Sequence, residues 1–546
     1  MESDSRIFCV YGRSGKRCCA ARRLAVTAAS MALAGIVYAD VWEKYVPGFN
    51  RADCERYANT IPNADAESFL RSSAPAFECP DADIERTYHF RWWTFRKHLR
   101  QTEDGWVVTE FLPPVGWARM HNTISCALGH HCREGRWLRD RKYVSGYLRF
   151  MLRKGTVSGK GAYINWPAVS MLSLVEATGD KSLGRELLPD LVRHYRSWEK
   201  GWNVGAWPLK GEVRIGLDPC GLFAISANYE GSEYSISGNG YRPLVNSCMA
   251  AEAKAISAIA RENGENGIAE EFAAKAVLLE KAVVEKLWNS RRTFYTTVST
   301  DGVHSATREL NGYAPWYFGI ARKGRGEAWN QLLDEGGFSA PWGLTFPERR
   351  DPRFKIDYSG HCCLWNGPVW PYSTSITLTA LAKAIAAGDS GKVVADDYRR
   401  LLGQYARSHV LRREDGSTVP WIDENQNPFT GDWIARTILK KQGDKIPDRG
   451  KDYNHSTFCD LVISGLVGLS SPEPGVVVLN PLVPTTWDWW KLSGVPCAGA
   501  IVDVVWDRDG SRFGKGKGFT VYADGKKVGS DGSVPRSMSI SVKKEE

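Results

Sequence analysis

Apolar residues recur at helical spacing along the chain from about residue 120 to 470. In "PLVNSCMAAEAKAISAIARENG" (243–264) the apolar positions share one face, and Glu252 is the one charged interruption of that stripe. Pro243 suits the first position of a helix, and Asn263-Gly264 suits its end. The segment 268–288 follows at once in the same period, so the pattern predicts a helical hairpin.

Similar pairs recur at 168–178 with 182–199 and at 375–387 with 392–410. Long loops rich in Gly, Pro, Trp and Asn separate the pairs, and loops of this length in a compact domain are usually functional. The loops span residues 201–242, 289–318, 336–374 and 411–456. Hairpins joined in series by such loops predict a mainly α-helical protein in which a closed ring of helices gathers its loops at one end.

Both ends of the chain differ from this pattern. Residues 472–546 are rich in β-branched residues broken by Gly and Asp, and "ADGKKV" reads as a hairpin turn. We expect a small β-sandwich-like domain there, packed against a helical domain of residues 85–471. Residues 40–84 show no clear period and are predicted to be irregular.

The N-terminus has the order of a signal peptide. Basic residues precede the apolar run "LAVTAASMALAGIVYA" (24–39), and small residues at Val37 and Ala39 suit cleavage before Asp40. The run is short for a membrane span, so an uncleaved signal anchor is the second reading. We predict removal of residues 1–39, export to a periplasmic or extracellular location, and no stable membrane insertion afterwards.

Charge and cysteine content exclude several function classes. The net charge is +9, and no basic tract is interleaved with aromatic residues, so nucleic acid is a poor partner. Ten of the 13 cysteines follow the predicted leader, which is too few in so long a chain for a disulfide scaffold. The sequence has no CxxC pair, so it does not predict a zinc site. Phosphate-loop, serine-hydrolase and zinc-protease motifs are absent. We predict neither a metal nor a cofactor, and the oligomeric state is not readable.

Tryptophans and acidic loops point to carbohydrate chemistry. The chain has 22 tryptophans, many in polar loops, and indole rings suit the C–H faces of sugars, although any single Trp is as easily explained by the core. Cleavage of an acetal needs two carboxyl groups. Glu233 in "EGSEYSISG" and Glu424 in "DENQNPFTG" are the candidates, with Glu230 as the runner-up for the first position. Only a fold that gathers distant loops can pair them.

Several stretches together resemble one family. "IERTYHFRWWTFRKHL", "VVTEFLPPVGWARMHNTISC", "EGSEYSISGNGYRPLVNSCMAAEAKAI", "CLWNGPVWPYSTS", "DENQNPFTG" and "RGKDYNHSTFCDLVISGLVGL" look like the mannosylglycerate-hydrolase-type glycoside hydrolases, which are related to glycoside hydrolase family 63 among the six-hairpin glycosidases. The resemblance covers roughly residues 84–495. Its most specific parts are the W-x-G-P-V-W run and the paired acidic loops.

The resemblance implies an (α/α)6 barrel and an inverting glycosidase. By position it assigns the general acid to Glu233 and the general base to Glu424, although family 63 usually has aspartate at the acid position. It also implies an aromatic substrate loop, a polar pocket wall and an early loop that closes the cleft. With Trp117, these substrate-binding residues are Arg91, Trp92, Trp93, Trp365, Asn366, Trp370, Tyr453, Asn454 and His455.

The expected activity is removal of an α-linked sugar from an oligosaccharide, glycoside or glycan. We expect a raised pKa for Glu233 and an ionised Glu424, with the two carboxyl groups ~6.5–9.5 Å apart to admit a water. A polysaccharide lyase or unsaturated-uronide hydrolase on the same ring, using Tyr234 or Tyr453 with His455, is an alternative. A non-catalytic carbohydrate-binding protein and a plain helical scaffold are two more. The identity of the sugar is open.

Overall fold

The computed structural model describes residues 39–205 and 211–542 of the chain. Its α-helices are α1 (Ala39–Ala52), α2 (Ala66–Ser73), α3 (Ala82–His98), α4 (Leu128–Gly135), α5 (Lys142–Arg153), α6 (Pro167–Thr178), α7 (Ser182–Lys200), α8 (Ala227–Glu230), α9 (Pro243–Glu262), α10 (Asn266–Lys286), α11 (Ala314–Tyr317), α12 (Pro371–Ala386), α13 (Ala395–Ser408) and α14 (Ile434–Lys441). A π-helix spans Leu461–Leu466. The predicted leader lies outside the described residues except for its last residue.

Strands are short in the helical part and longer near the C-terminus. They are β1 (Ala76–Glu78), β2 (Leu99–Thr102), β3 (Gly105–Val108), β4 (Trp202–Gly205), β5 (Glu212–Leu217), β6 (Phe223–Ile225), β7 (Gly240–Tyr241), β8 (Trp288–Asn289), β9 (Phe294–Tyr295), β10 (Ser339–Ala340), β11 (Gly343–Leu344), β12 (Val410–Arg412), β13 (Thr418–Pro420), β14 (Leu469–Glu473), β15 (Val476–Leu479), β16 (Trp489–Cys497), β17 (Ala500–Asp507), β18 (Gly518–Ala523), β19 (Lys526–Asp531) and β20 (Met538–Ser541). The chain is mainly α-helical, as its sequence predicts.

The helical hairpins expected from the apolar period are confirmed. α9 begins at Pro243 and ends before Asn263, and it packs along α10 on one side and against α6 and α7 on the other. The turn between α6 and α7 passes through Gly179 at φ 69°, a left-handed conformation that suits a glycine at a helix end. The α12–α13 hairpin is also present, with bounds a few residues from those expected.

Glu252, the charge within the apolar stripe of α9, has a structural role. Its carboxylate accepts hydrogen bonds from the backbone N–H groups of Ala168 (3.0 Å) and Val169 (2.8 Å), in the first turn of α6. These N–H groups have no partner within their own helix, so an acidic side chain from a neighbouring helix stabilises that end. Burial raises the pKa of Glu252 to about 8.

The prediction of an irregular segment at residues 40–84 is wrong. This segment contains α1, α2 and β1, and both helices pack on α3. Trp42, Val46 and Phe49 repeat at helical spacing and are buried, but Pro47 interrupts the run and hides the helix from a sequence reading. A proline inside a helix disfavours it locally, and here the packing of the buried face prevails.

The C-terminal region is a β structure, as expected. A five-stranded antiparallel sheet has the order β1-β16-β17-β18-β19, and β14, β15 and β20 form a second sheet. The Asp524-Gly525 turn joins β18 to β19, which confirms the hairpin read from "ADGKKV". The Ala498 N–H donates to the carbonyl of Glu176, which fixes the larger sheet to α6 (2.9 Å). Strand β1 comes from the N-terminal segment, so both ends of the chain share this sheet.

Within residues 39–205 and 211–542, no helix combines the length and the apolar character that a bilayer crossing requires.

Candidate active site

One pocket of about 350 Å³ opens where loops from distant parts of the sequence meet. Three of its lining residues are carboxylic acids, and seven are Phe, Trp or Tyr. Its walls include Glu110, Phe111, Trp117, Tyr163, Glu233, His361, Cys362, Cys363, Trp365, Trp370, Tyr372, Glu424, Arg449, Tyr453 and His455. Aromatic faces combined with a few converging polar groups are the usual composition of a small-ligand site.

Glu233 lies in the loop that follows α8, and it contributes to the pocket wall. The helix ends at Gly231, whose φ of 79° turns the chain back toward the pocket. The backbone carbonyl of Glu233 accepts a hydrogen bond from Trp365 N (3.0 Å). Burial raises the pKa of the Glu233 side chain to about 7, and the negative charge of Glu424 raises it further. This carboxyl therefore keeps a proton to a higher pH than an ordinary glutamate.

Glu424 lies on the loop between β13 and α14 and is 3% exposed. Its Oε2 accepts a hydrogen bond from the Cys363 thiol (3.0 Å), and its backbone N–H donates to Asp423 Oδ1 (2.8 Å). Arg449 is the nearby cation. Burial alone would lower the pKa of Arg449, but the charges of Glu424 and the other nearby acidic groups together outweigh burial, and the pKa is raised. The base candidate is thus held by a thiol and faces a guanidinium.

The segment 361–370 is hydrogen-bonded to both acidic loops. Besides the contacts of Cys363 and Trp365, Val369 exchanges two backbone hydrogen bonds of 2.9 Å with Gln426, two residues after Glu424. Asn425 Nδ2 donates to the carbonyl of Cys362 (2.7 Å). Glu233 and Glu424 are 191 positions apart, yet each lies on a loop that is hydrogen-bonded to this one segment.

Stacked indoles form one face of the pocket. The rings of Trp365 and Trp370 lie parallel, with centroids 4.0 Å apart and an interplanar angle of 6°, and Tyr372 meets Trp365 edge-on. The Trp370 Nε1–H donates to the carbonyl of Leu364 (3.0 Å), which fixes the pair. Trp117 lies at the opening with 46% of its surface exposed. Rigid aromatic faces of this kind suit the apolar side of a sugar ring.

Of the residues 453–455, which were predicted to form a polar wall, two line the pocket and one lies behind it. Tyr453 and His455 line the pocket, joined by a hydrogen bond of 2.6 Å between the hydroxyl and Nδ1. Burial lowers the pKa of His455 well below its usual value, so the ring is neutral. Asn454 is not among the lining residues, and its Oδ1 accepts a hydrogen bond from Arg91 Nη2 (3.4 Å).

The early residues Arg91, Trp92 and Trp93 do not form a loop over the cleft. They belong to α3 and are at most 2% exposed, so that expectation is wrong. Trp92 and Trp93 pack in the core, where the Trp93 indole donates to Asn50 Oδ1 (2.8 Å). Arg91 supports the pocket wall from behind by donating to the carbonyl of Ser456 (2.8 Å). These side chains belong to an uninterrupted helix, whereas the family resemblance implied an early loop that closes the cleft.

Asn366 lies beside the aromatic loop but is not among the residues lining the pocket. Its backbone carbonyl accepts a hydrogen bond from Lys355 N (2.9 Å), which anchors the loop.

Glu230, the runner-up for the first acid, lies behind the pocket. Its Oε2 accepts hydrogen bonds from Arg242 Nε (2.6 Å), Ser232 and Asn311. Arg242 also contacts Glu309 (3.3 Å), so one guanidinium lies between two carboxylates. The side chain of Glu230 is fully buried and absent from the pocket lining.

Sequence reasoning missed a third carboxyl, Glu110. It lies two residues after the end of β3, is 4% exposed and lines the pocket. Its Oε1 accepts a hydrogen bond from the Trp117 indole (3.1 Å), whereas Oε2 is buried and has no hydrogen-bond partner within residues 39–205 and 211–542. Burial raises the pKa of Glu110 to about 8. A charged residue just after a buried strand, in "WVVTEFLPP", is the signal that marks it.

Comparison with known proteins agrees with the resemblance of the sequence. The family model of the mannosylglycerate hydrolase MGH1-like glycoside hydrolase domain matches residues 120–456. A solved structure described as a sialidase is 34% identical over 92% of this chain, with a TM-score of 0.81. The chain spans 45% of the length of that sialidase.

Two further solved structures are similar at lower identity. A family 63 mannosylglycerate hydrolase from Thermus thermophilus in complex with glucose is 14% identical, with a TM-score of 0.45, over 65% of this chain and 98% of that one. A family 78 rhamnosidase from Bacillus sp. GL1 is 16% identical, with a TM-score of 0.49, over 79% of this chain and 40% of that one.

Proposed function

Because the chain belongs to the mannosylglycerate hydrolase MGH1-like glycoside hydrolase family, we propose that it removes an α-linked sugar from an oligosaccharide, glycoside or glycan with inversion at the anomeric carbon. Glu233 is the general acid and Glu424 the general base. The observation that carries the proposal is the presence of these two carboxyls in one aromatic-walled pocket, the first with its pKa raised to about 7.

The chemistry follows from the two environments. Glu233 donates its proton to the glycosidic oxygen as the bond to the anomeric carbon breaks, so the leaving group departs as a neutral alcohol. Glu424 accepts a proton from a water that attacks the opposite face of the ring. The hydrogen bond from Cys363 and the charge of Arg449 hold the Glu424 carboxylate in place. An inverting enzyme requires ~6.5–9.5 Å between the two carboxyls.

We assign the remaining pocket walls to substrate binding. Trp365, Trp370 and Trp117 offer aromatic faces to the sugar, and Tyr453 with His455 offers a polar edge. Glu110, as a neutral carboxylic acid, donates a hydrogen bond from its second oxygen to a sugar hydroxyl. The buried Oε2, which has no hydrogen-bond partner among the described residues, supports this role, because a bound hydroxyl would satisfy it.

We extend the proposal to the arrangement of the helices and to the cellular location of the enzyme. The consecutive hairpins α6–α7, α9–α10 and α12–α13 support closure of the helices into an (α/α)6 barrel over residues 85–471, followed by a β-sandwich-like domain over 472–546. We propose that residues 1–39 act as a signal peptide and that the mature enzyme works in the periplasm or outside the cell. The basic, apolar and small-residue order of that segment supports export.

A panel of aryl α- and β-glycosides and glycans tests the proposal, with proton NMR reporting the anomer released first. The expected result is hydrolysis of α-linked substrates with the β-anomer appearing first. The α-anomer first would overturn inversion. A glycan product with a new carbon–carbon double bond in its sugar ring, detected by its ultraviolet absorption, would indicate a lyase. Binding without release of sugar would leave a carbohydrate-binding protein.

A further inference from the structure

Three potential metal ligands adjacent in sequence converge on the wall of the pocket. His361, Cys362 and Cys363 each offer one ligand atom, and these atoms lie within 4.8 Å of one another. All three residues line the pocket that contains Glu424. The function proposed above gives this cluster no part in the hydrolysis beyond the Cys363 hydrogen bond.

The spacing of the sulfur atoms matches a shared ligand sphere. Cys362 Sγ and Cys363 Sγ are 3.8 Å apart. Two sulfurs bound at ~2.3 Å to one tetrahedral ion are separated by ~3.8 Å, so neither thiol has to move far to bind the same cation. Glu424 Oε2 lies 3.0 Å from Cys363 Sγ but outside the group of mutually close ligand atoms, so its carboxylate has to turn toward the ion to become a fourth ligand.

We propose that His361, Cys362 and Cys363 bind a soft divalent cation, Zn²⁺ or Cd²⁺, with Glu424 completing the tetrahedron, and that the bound cation blocks hydrolysis. On binding, the two thiols release their protons to solvent as the two metal–sulfur bonds form. The inhibitory part rests on the proposed role of Glu424 as the base, because a carboxylate bound to a metal cannot accept a proton from water.

Arg449 is the group that such a cation must displace. Its Nη2 donates to Cys362 Sγ (3.2 Å), and its guanidinium also stacks on the Trp117 ring, 4.8 Å from the centroid. We expect the guanidinium to keep its contact with the partly exposed Trp117 ring while its hydrogen bond to Cys362 breaks. The sulfur is then free for the metal.

A second group of potential ligands, Glu103, Asp104 and His121, lacks these features. It consists of oxygen donors and one imidazole near the surface, and Asp104 already pairs with His121 (2.9 Å) and Lys154. Soft cations prefer thiolates, so the cluster in the pocket is the better site for them.

Titration of the full-length protein with Cd²⁺, without any glycoside, tests the binding. The expected result is an ultraviolet thiolate-to-cadmium band that saturates at one equivalent. A Cys362→Ser/Cys363→Ser variant loses the band, and His361→Ala weakens binding by more than about 10-fold. Cys54→Ser is the matched control, since Cys54 is exposed and outside the pocket, and it leaves the band unchanged. If the double variant does not fold, Cys363→Ser alone serves.

The activity assay addresses the contact with Glu424. Inhibition of hydrolysis by Cd²⁺ should follow the same binding curve as the band and should be absent in the cysteine variants. A wild-type protein without the band, or a band that survives in the cysteine variants, overturns the site. A band without inhibition overturns the ligation by Glu424. Because the band needs no turnover, failure of the proposed hydrolase activity remains distinguishable from failure of the metal site.

Discussion

Glu230 and Glu233 lie three positions apart at the end of α8 but in different environments. Glu230 is fully buried behind the pocket and shares Arg242 with Glu309. Glu233 reaches the pocket, and none of the ion pairs among the described residues includes it. The two acids differ in their partners, because the Glu230 carboxylate lies against a guanidinium whereas burial raises the pKa of Glu233 to about 7.

Asp460, in the layer behind the pocket, differs from the pocket acids Glu110 and Glu233 because it has cationic partners. In the layer behind, Asp460 is fully buried, and the cations Arg133 and Arg136 overcome the effect of burial and lower its pKa. In the pocket, Glu110 and Glu233 have raised pKa values. A raised pKa suits the role proposed for Glu233 as the proton donor, whereas the ion-paired Asp460 holds neighbouring helices in place.

Removing either pocket acid should have the largest effect. Glu233→Gln and Glu424→Gln each keep the side-chain shape but cannot transfer a proton, so kcat should fall by about 10²–10⁴-fold. Activity assays on the substrate identified by the panel measure the loss, and circular dichroism checks the fold. Glu270→Gln, on the exposed face of α10, is the matched control and should change nothing. Near-normal turnover in both pocket variants would remove the two acids from the mechanism.

Breaking the ion pair behind the pocket should instead reduce stability. Arg242→Met leaves Glu230 and Glu309 buried without their cation, and the free energy of unfolding should fall by about 3–5 kcal/mol. Urea denaturation measures this change. Arg86→Met is the control, because the Arg86–Asp83 pair is solvent-exposed (41% and 36%) and worth at most about 1 kcal/mol. Equal losses in the two variants would contradict the distinction between the pocket and the layer behind it.

The sequence predicts the fold better than it predicts the pocket walls. The apolar period identifies α6, α7, α9 and α10 because helical spacing of buried residues is a local property. Arg91 and Trp92 were misplaced because a conspicuous aromatic motif looks the same in a core helix as in a loop. Glu110 was missed because its role depends on what surrounds it in three dimensions, and no local spacing encodes a buried oxygen without a partner.

The pH dependence of the reaction should report the Glu233 proton. An acid catalyst must be protonated, so kcat/KM should decline above pH of about 7, by about tenfold per unit once the group is ionised. A pH–rate profile on a substrate with a poor leaving group measures this limb. With aryl substrates whose leaving group needs no protonation, kcat/KM should decline much less over the same pH range. An alkaline limb that is identical for both kinds of substrate would assign the ionisation to another group.

Glu110→Gln should have the smallest effect on activity and a visible one on stability. Glutamine retains a hydrogen-bond donor, so below pH of about 7 the variant should keep kcat/KM within about threefold. The pKa of Glu110 rises from 4.5 to about 8 on folding, so the unfolded chain loses this proton first and stability falls as the pH rises through that interval. The Glu110→Gln variant should therefore have a higher unfolding temperature than the wild type at about pH 9 but not at about pH 5. Glu103→Gln, at an exposed position, is the control and should not change the unfolding temperature at either pH. A loss of activity of about a hundredfold at slightly acidic pH would instead mean that Glu110 itself takes part in proton transfer, which glutamine cannot do.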